Sequence, residues 1–287
     1  MVFSKTAFTL FLTAWVVLLL VPVAALVLWS FLAMENYQFV AEPTLSAYGQ
    51  IVASGRDLVI WKTLRIAVTV TLIELVVAIP FSIWLAKKVT SAKVKAIVLT
   101  LLTIPFFISI ASRTMVFRPI LSRNGPVNTA LIDLGLIDRP LEWLLFSDFS
   151  VHLGLLGPSF PTMVLPIYLT MTLIDDELIN AARDLGAPPH RVFLDVMLPL
   201  ALPGIVAGII FTFVPMLGET VVPQLLGGGN VNMLGSSLAS LIQVVNYPVA
   251  AALSVVVLLV VAVLLVLLRL LMRRLPVSAP IFEGTGR

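Results

Sequence analysis

The sequence predicts an all-α polytopic membrane protein with six transmembrane helices. Three observations carry this reading. The 287-residue chain is 60% hydrophobic and only 11% charged, with a mean hydropathy of +1.09, whereas a soluble domain is about half apolar and a quarter charged. Six windows are apolar over the roughly 20 residues that a helix needs to cross the hydrocarbon core. Lysine and arginine are spread unevenly between alternate connecting segments, as they are on the two sides of a membrane. An ordinary soluble enzyme and a disordered chain are excluded. The net charge of +3 gives no reason to expect a nucleic-acid partner. With no cysteine and only His152 and His190 as histidines, no metal site is expected.

The windows are Phe8–Leu32, Leu64–Ala86, Ala96–Phe117, Val151–Ile174, Pro199–Leu217 and Pro248–Leu268. The first is too long for a cleaved signal peptide and is read as a retained helix. The fifth carries Pro199, Pro203 and Pro215, and the others carry Pro22, Pro80, Pro105, Pro161 and Pro166. Proline survives in a membrane helix when neighbours satisfy the freed carbonyls, so bent helices around a pathway are expected. With the N-terminus inside, the inner segments hold eleven Lys/Arg and the outer ones five, which puts both termini in the cytoplasm. The clusters Lys87–Lys95 and Arg269–Arg274 read as stop-transfer anchors or anionic-lipid contacts. In the outer segment Arg118–Ser150, turn signals flank Val127–Leu136, a candidate short helix. Trp29, Trp61, Trp84 and Trp143 fall near span ends and Trp15 deeper, and all five read as belt residues. His152 reads as an interfacial histidine.

The inner segment Asp175–Leu198 is the most informative. Asp175, Asp176 and Glu177 favour a helix start. Leu178, Ala181, Ala182 and Leu185 recur at helical spacing on one face, Gly186 is a stop signal, and Pro188-Pro189 forbid continuation. The result is a short amphipathic helix, either lying on the inner leaflet or docking a cytoplasmic partner through its small residues.

These residues carry a resemblance. Asn180-Ala181-Ala182, three residues, Gly186, nine residues, Val196, one residue and Leu198-Pro199 resembles the EAA motif of the membrane subunits of binding-protein-dependent ABC importers. Every interval matches; Asn180 replaces the motif glutamate and Val196 its isoleucine. Pro105-Phe106-Phe107, Ser112-Arg113-Thr114, Leu121–Gly125, Asn128 and Leu217–Gly228 are similar to the B-type permease subunit of spermidine/putrescine importers, although Met115-Val116-Phe117 stands where that family has Tyr-Ala-Trp. Related importers carry iron, phosphonates or opines.

The resemblance implies the type I ABC importer transmembrane fold in a bacterial inner membrane. It implies residues 1–63 as first helix and outer segment, 64–274 as a permease core with a coupling helix near 176–187, and 275–287 as a cytoplasmic tail. Its implied partners are two ATP-binding subunits, a second permease chain of C type, membrane lipid, and a periplasmic or lipid-anchored substrate-binding protein. The chain has no Gly-Lys-Ser/Thr phosphate loop, so no cofactor of its own is expected, and ATP and Mg belong to the partner ATPase. The resemblance assigns ATPase coupling to Asn180, Ala181, Ala182, Arg183, Leu185 and Gly186. No catalytic residue is expected.

Ionisable groups inside a membrane usually face protein or water and mark function. Glu74 falls mid-span in the second window, as a cation site or a partner of another span. Arg113 lies near an end of the third, where it can snorkel. Glu219 follows the fifth, as a gate, a substrate contact or a cap for the break at Pro215 and Gly218. These three are the pathway candidates. A surplus of acidic residues in the outer segments would suit a cationic solute. The rival readings are a secondary transporter, which needs intramembrane titratable pairs and related halves, and a scaffold that moves nothing.

Overall fold

The computed structural model describes residues 5–35 and 38–274; the expected tail at 275–287 lies outside them. In chain order the elements are α1 (Lys5–Trp29), a two-stranded hairpin of β1 (Leu32–Glu35) and β2 (Gln38–Pro43), α2 (Ser46–Ala53), α3 (Arg56–Ile83), α4 (Ala92–Phe107), α5 (Ile110–Leu121), α6 (Pro126–Asp133), α7 (Asp148–Leu173), α8 (Asp176–Asp184), the single turn α9 (Pro189–Arg191), α10 (Leu198–Leu217), α11 (Val221–Leu226), α12 (Leu234–Gln243) and α13 (Tyr247–Arg274). Two π-helical segments interrupt them. Trp84–Lys88 ends α3, and Val192–Met197 leads into α10.

Among the described residues, five helices are long and apolar enough to span a membrane, and α4 with the stretch from α5 through α6 makes a sixth candidate bent by 96°. Five windows therefore become continuous helices, whereas the third, Ala96–Phe117, is broken. The break has a local cause. Ser109 takes extended backbone and its hydroxyl accepts the Ser112 N–H, which starts a new helix two residues after α4 ends. The hairpin is an addition that the outer-segment reading did not include: Ala33 pairs with Val40 and Met34 with Phe39. The short helix expected at 127–136 forms as α6, with Pro126 in its first turn.

The described residues form two compact units. One holds the chain up to Trp61 together with Ser237–Ala262, and the other holds Lys62–Ser236 with the described residues from Val263 onward. In the first, Ser30 Oγ and Tyr48 Oη lie 2.9 Å apart and the Tyr48 ring packs on Phe31, which ties the end of α1 to α2.

The second unit is built on α7 and α10. Gly204 and Gly208 allow the two backbones to meet: a Cβ at Gly204 would stand 2.4 Å from the Pro166 carbonyl, and one at Gly208 would stand 3.0 Å from that of Met163. Helix association in lipid rests on close approach of this kind. The core around them includes Ala78, Leu85, Ile167, Met171, Ala201 and Ile205. A Ser147–Ser150 capping box starts α7, and Ser150 Oγ also donates to the Leu226 carbonyl at 2.8 Å, tying α11 to α7.

Helices α3 and α7 are pinned together at both ends. At their N-termini, Lys62 Nζ lies 3.0 Å from Asp148 Oδ1, and Arg65 pairs with the same carboxylate. At their C-termini, Lys87 Nζ lies 2.7 Å from Asp176 Oδ1 and donates to the Ile174 carbonyl. The two helices thus run parallel.

Candidate functional site

Two regions of the second unit gather the residues that the sequence singles out, one at each end of α7.

Near the N-terminal half of α7, a cavity of about 180 Å³ opens among α4, α5, α7, α10 and α11. Its wall is largely apolar, with Phe106, Ile110, Leu155, Phe211 and Met216. Ser159, Thr162 and Thr212 also line it, as do two residues of opposite charge, Arg113 and Glu219. The bend between α4 and α5 brings Arg113 here; Ile110 and Arg113 lie one turn apart on α5 and share the cavity wall. Its Nε is buried without a hydrogen-bond partner. Glu219 Oε1 accepts the N–H groups of Val221 (2.7 Å) and Val222 (3.2 Å). It therefore caps the start of α11, where the helix dipole favours a negative charge, while lining the cavity.

Glu74 is placed differently. It is 1% exposed and lies outside the cavity lining. Ser159 Oγ donates to its Oε1 at 2.6 Å, whereas Oε2 has no partner, nor has the hydroxyl of Thr71 one turn earlier. The structure thus brings Arg113 and Glu219 to one cavity and sets Glu74 behind its wall, with Ser159 between. The hydroxyls were not among the candidates. Their signal was Ser159 and Thr162 at helical spacing inside an otherwise apolar span. A second hollow of about 500 Å³, lined by Leu165, Pro166 and Leu169, shares Phe106, Thr162 and Phe211 with the first. It extends the apolar wall along α7 toward α8.

The outer acidic surplus is partly neutralised. Asp148 is held by Lys62 and Arg65, and Glu142 lies 3.7 Å from Arg123. His152 is tied down as well: Nδ1 is 2.6 Å from the Asp148 carbonyl and Nε2 is 2.8 Å from Thr69 Oγ1.

At the other end of α7 lies α8. The Asp175 side chain accepts the Glu177 N–H at its start. At its end, the Ala187 N–H reaches the Ala182 carbonyl and the Gly186 N–H that of Arg183, with Gly186 at φ +80°. This is a Schellman stop, which glycine enters without strain. The single apolar face read from the sequence is divided in two. Ile179 and Ala182 turn inward onto the core that holds Val192 and Met197. Leu178, Ala181 and Leu185 point outward together with Asn180, Arg183 and Gly186, and Leu185 is 89% exposed. Ile179, which was not counted, is the anchor, because α8 is held by its turn onto the π segment that follows it.

Among the described residues no group of three or more His, Cys, Asp or Glu side chains is placed to hold a metal. A membrane protein of bent helices, with a charged cavity and a projecting amphipathic helix, is the class that this architecture defines. The chain matches, over residues 78–276, the family of binding-protein-dependent transport system inner membrane components, and it belongs to that family. The spermidine/putrescine transport system permease protein PotB of Haemophilus influenzae is 31% identical over 255 residues, 88% of each chain. PotB of Escherichia coli K12 is 32% identical over 247 residues, 85% of this chain and 89% of that one. A chain in the crystal structure of a bacterial alginate ABC transporter, in complex with alginate pentasaccharide-bound periplasmic protein, superposes with a TM-score of 0.72 at 17% identity over 96% of this chain and 95% of that one. The protein is a multi-pass inner-membrane permease.

Proposed function

We propose that this chain is one of two permease subunits of an ATP-driven importer and that its cavity contributes to the pathway of a small cationic solute of the polyamine class. In this reading α8 is the coupling helix. Asn180, Ala181, Ala182, Arg183, Leu185 and Gly186 form or shape its contact with an ATP-binding subunit, which carries the ATP and Mg. A second permease chain of C type and a substrate-binding protein complete the assembly. Both termini face the cytoplasm.

One observation carries the coupling assignment: α8 is anchored by Ile179 yet leaves Leu178, Ala181 and Leu185 exposed beside charged neighbours. A helix that needed only to rest on its own protein would have no use for a second apolar face. The polyamine assignment is supported by the PotB relatives, which are similar over most of the chain. Glu219 and Glu74 supply carboxylates on opposite sides of the cavity wall. Arg113 would set the limit on how much positive charge the cavity accepts.

The test is a pull-down from mild detergent with partners identified by mass spectrometry. Wild type should recover an ATPase and a second permease. Leu185→Asp, at an exposed position, should insert normally and lose the ATPase. Gly186→Pro should do the same, since proline is fixed near φ −65° and cannot take φ +80°. Undiminished ATPase recovery with Leu185→Asp would overturn the docking reading. Transport by the purified chain alone, without ATP, would make it a secondary transporter.

A further inference from the structure

Lys87 belongs to the basic cluster that the sequence reads as membrane anchoring, yet its side chain turns into the protein and is 13% exposed. It stands at the end of the π-helical segment Trp84–Lys88. Its Nζ bridges three chain ends. It is covalently part of the α3 terminus, it donates to the carbonyl of Ile174 just beyond α7, and it pairs with Asp176, the first residue of α8. The charges suit the positions, with a cation at two helix C-termini and a carboxylate at a helix N-terminus. Ile174 O is also one of the carbonyls that a helix end leaves without an internal partner. Lys95 Nζ closes the neighbouring carbonyl of Ala86 at 3.1 Å.

The consequence is mechanical. Besides its chain link to α7 through Ile174 and Asp175, helix α8 makes two side-chain contacts that matter here. Ile179 and Ala182 press on the π segment Val192–Met197, which runs straight into α10. Asp176 reaches α3 through Lys87. Higher in the membrane, α3 is joined to α7 by Ser82 Oγ to the Val164 carbonyl (3.3 Å) and by Glu74 to Ser159 at the cavity wall.

We propose that Lys87 is a positioning residue that makes α3 follow α8, so that a displacement of the coupling helix reaches both walls of the cavity, through α10 on one side and through α3, Glu74 and Ser159 on the other. The proposal rests on α8 being the coupling helix.

The chain has no cysteine, so spin labels can be placed without removing any. One label goes on Asp184→Cys, an exposed position of α8 outside the named contact residues, and one on Val76→Cys on an exposed part of α3. The distance between them is measured by pulsed electron resonance in the assembled complex, nucleotide-free and trapped with ATP and vanadate. A third label on the ATPase subunit reports whether α8 is docked. In the wild-type background the α3–α8 distance should stay constant to within about 2 Å, the scale of helix shifts in allosteric proteins. In Lys87→Met it should change beyond that on trapping, and Lys87→Arg should restore the wild-type result. Asp176→Asn, which leaves the Ile174 carbonyl bond, should fall between them and stands in if Lys87→Met does not assemble. Equal behaviour of wild type, Lys87→Met and Asp176→Asn, with α8 docked, overturns the strut alone. Absence of any α8–ATPase distance in the assembled wild type overturns the coupling-helix reading beneath it.

Discussion

Glu74 shows what one buried carboxylate can be asked to do. Its Oε1 is satisfied by Ser159 and its Oε2 is not. A group left in that state inside a span is costly and marks function more often than packing. Glu74→Gln keeps an oxygen for the Ser159 hydroxyl and removes only the charge. We expect normal assembly and a fall in putrescine uptake of about tenfold in reconstituted liposomes, equivalent to about 1.4 kcal/mol. Unchanged uptake would reduce Glu74 to a pin between α3 and α7. Ser159→Ala should act on stability instead, because it strips the remaining partner from a buried acceptor, at about 1–3 kcal/mol, read as a lowered Tm in detergent. Asp176 makes a different prediction. The hydrogen bond from Lys87, with the charge behind it, holds its carboxyl below the usual range. A depressed folded-state pKa contributes stability above the unfolded value and loses it as pH falls through the folded one. The Tm difference between wild type and Asp176→Asn should therefore be flat from about pH 5.5 to 8 and shrink only below about pH 4.

At the scale of the element, α8 was legible because its signals are local: acidic residues at the start, Gly186 at the end, and 3.6-residue periodicity between. Which of its apolar residues face inward was not. That depends on the π segment Val192–Met197, and a one-residue change of register exchanges Leu178 for Ile179. The break in the third window was hidden for a related reason. Ser109 looks like any small residue in an apolar run until its hydroxyl takes the Ser112 N–H, and Arg113 enters the cavity only because of that bend. Lys87 read as a surface charge because nothing in its neighbourhood announces a partner 89 residues away. The α7–α10 contact makes an element-scale prediction. Gly204→Ala places a Cβ 2.4 Å from the Pro166 carbonyl, which is backbone and cannot swing aside. It should cost about 1–3 kcal/mol. Gly157→Ala, on α7 across from α10, meets nothing within 4 Å and should be neutral or gain about 0.5–1 kcal/mol of helix preference. Thermal unfolding of the two variants side by side separates close packing from glycine content.

For the whole molecule the open count is five crossings or six, since α4 and α5 bend by 96° and such a pair is either a broken span or a re-entrant loop. The pins on α3 and α7 decide it. Lys62–Asp148 joins their beginnings and Lys87–Asp176 their ends, so both helices cross in the same direction. The chain leaves α3 on the Lys87 side and must enter α7 on the Lys62 side. Between them lie α4, α5 and the eight-residue α6, which is too short to cross alone, so the α4–α5 pair carries the chain back across. A re-entrant pair would return the chain to the Lys87 side and leave Asp148 a membrane thickness of roughly 30 Å from Lys62. With six crossings, the lysines of Lys87–Lys95 fall on the side that we propose faces the cytoplasm. Thr90, just past the π segment of α3, and Asn124, between α5 and α6, are both exposed and make the test direct in a chain without cysteine. With a membrane-impermeant maleimide on right-side-out vesicles, Asn124→Cys should label and Thr90→Cys should not, and inverted vesicles should reverse the pattern. Labelling of both from one side would make α4–α5 re-entrant and would separate α3 from α8 by the full membrane, ending the case for the Lys87 strut as well.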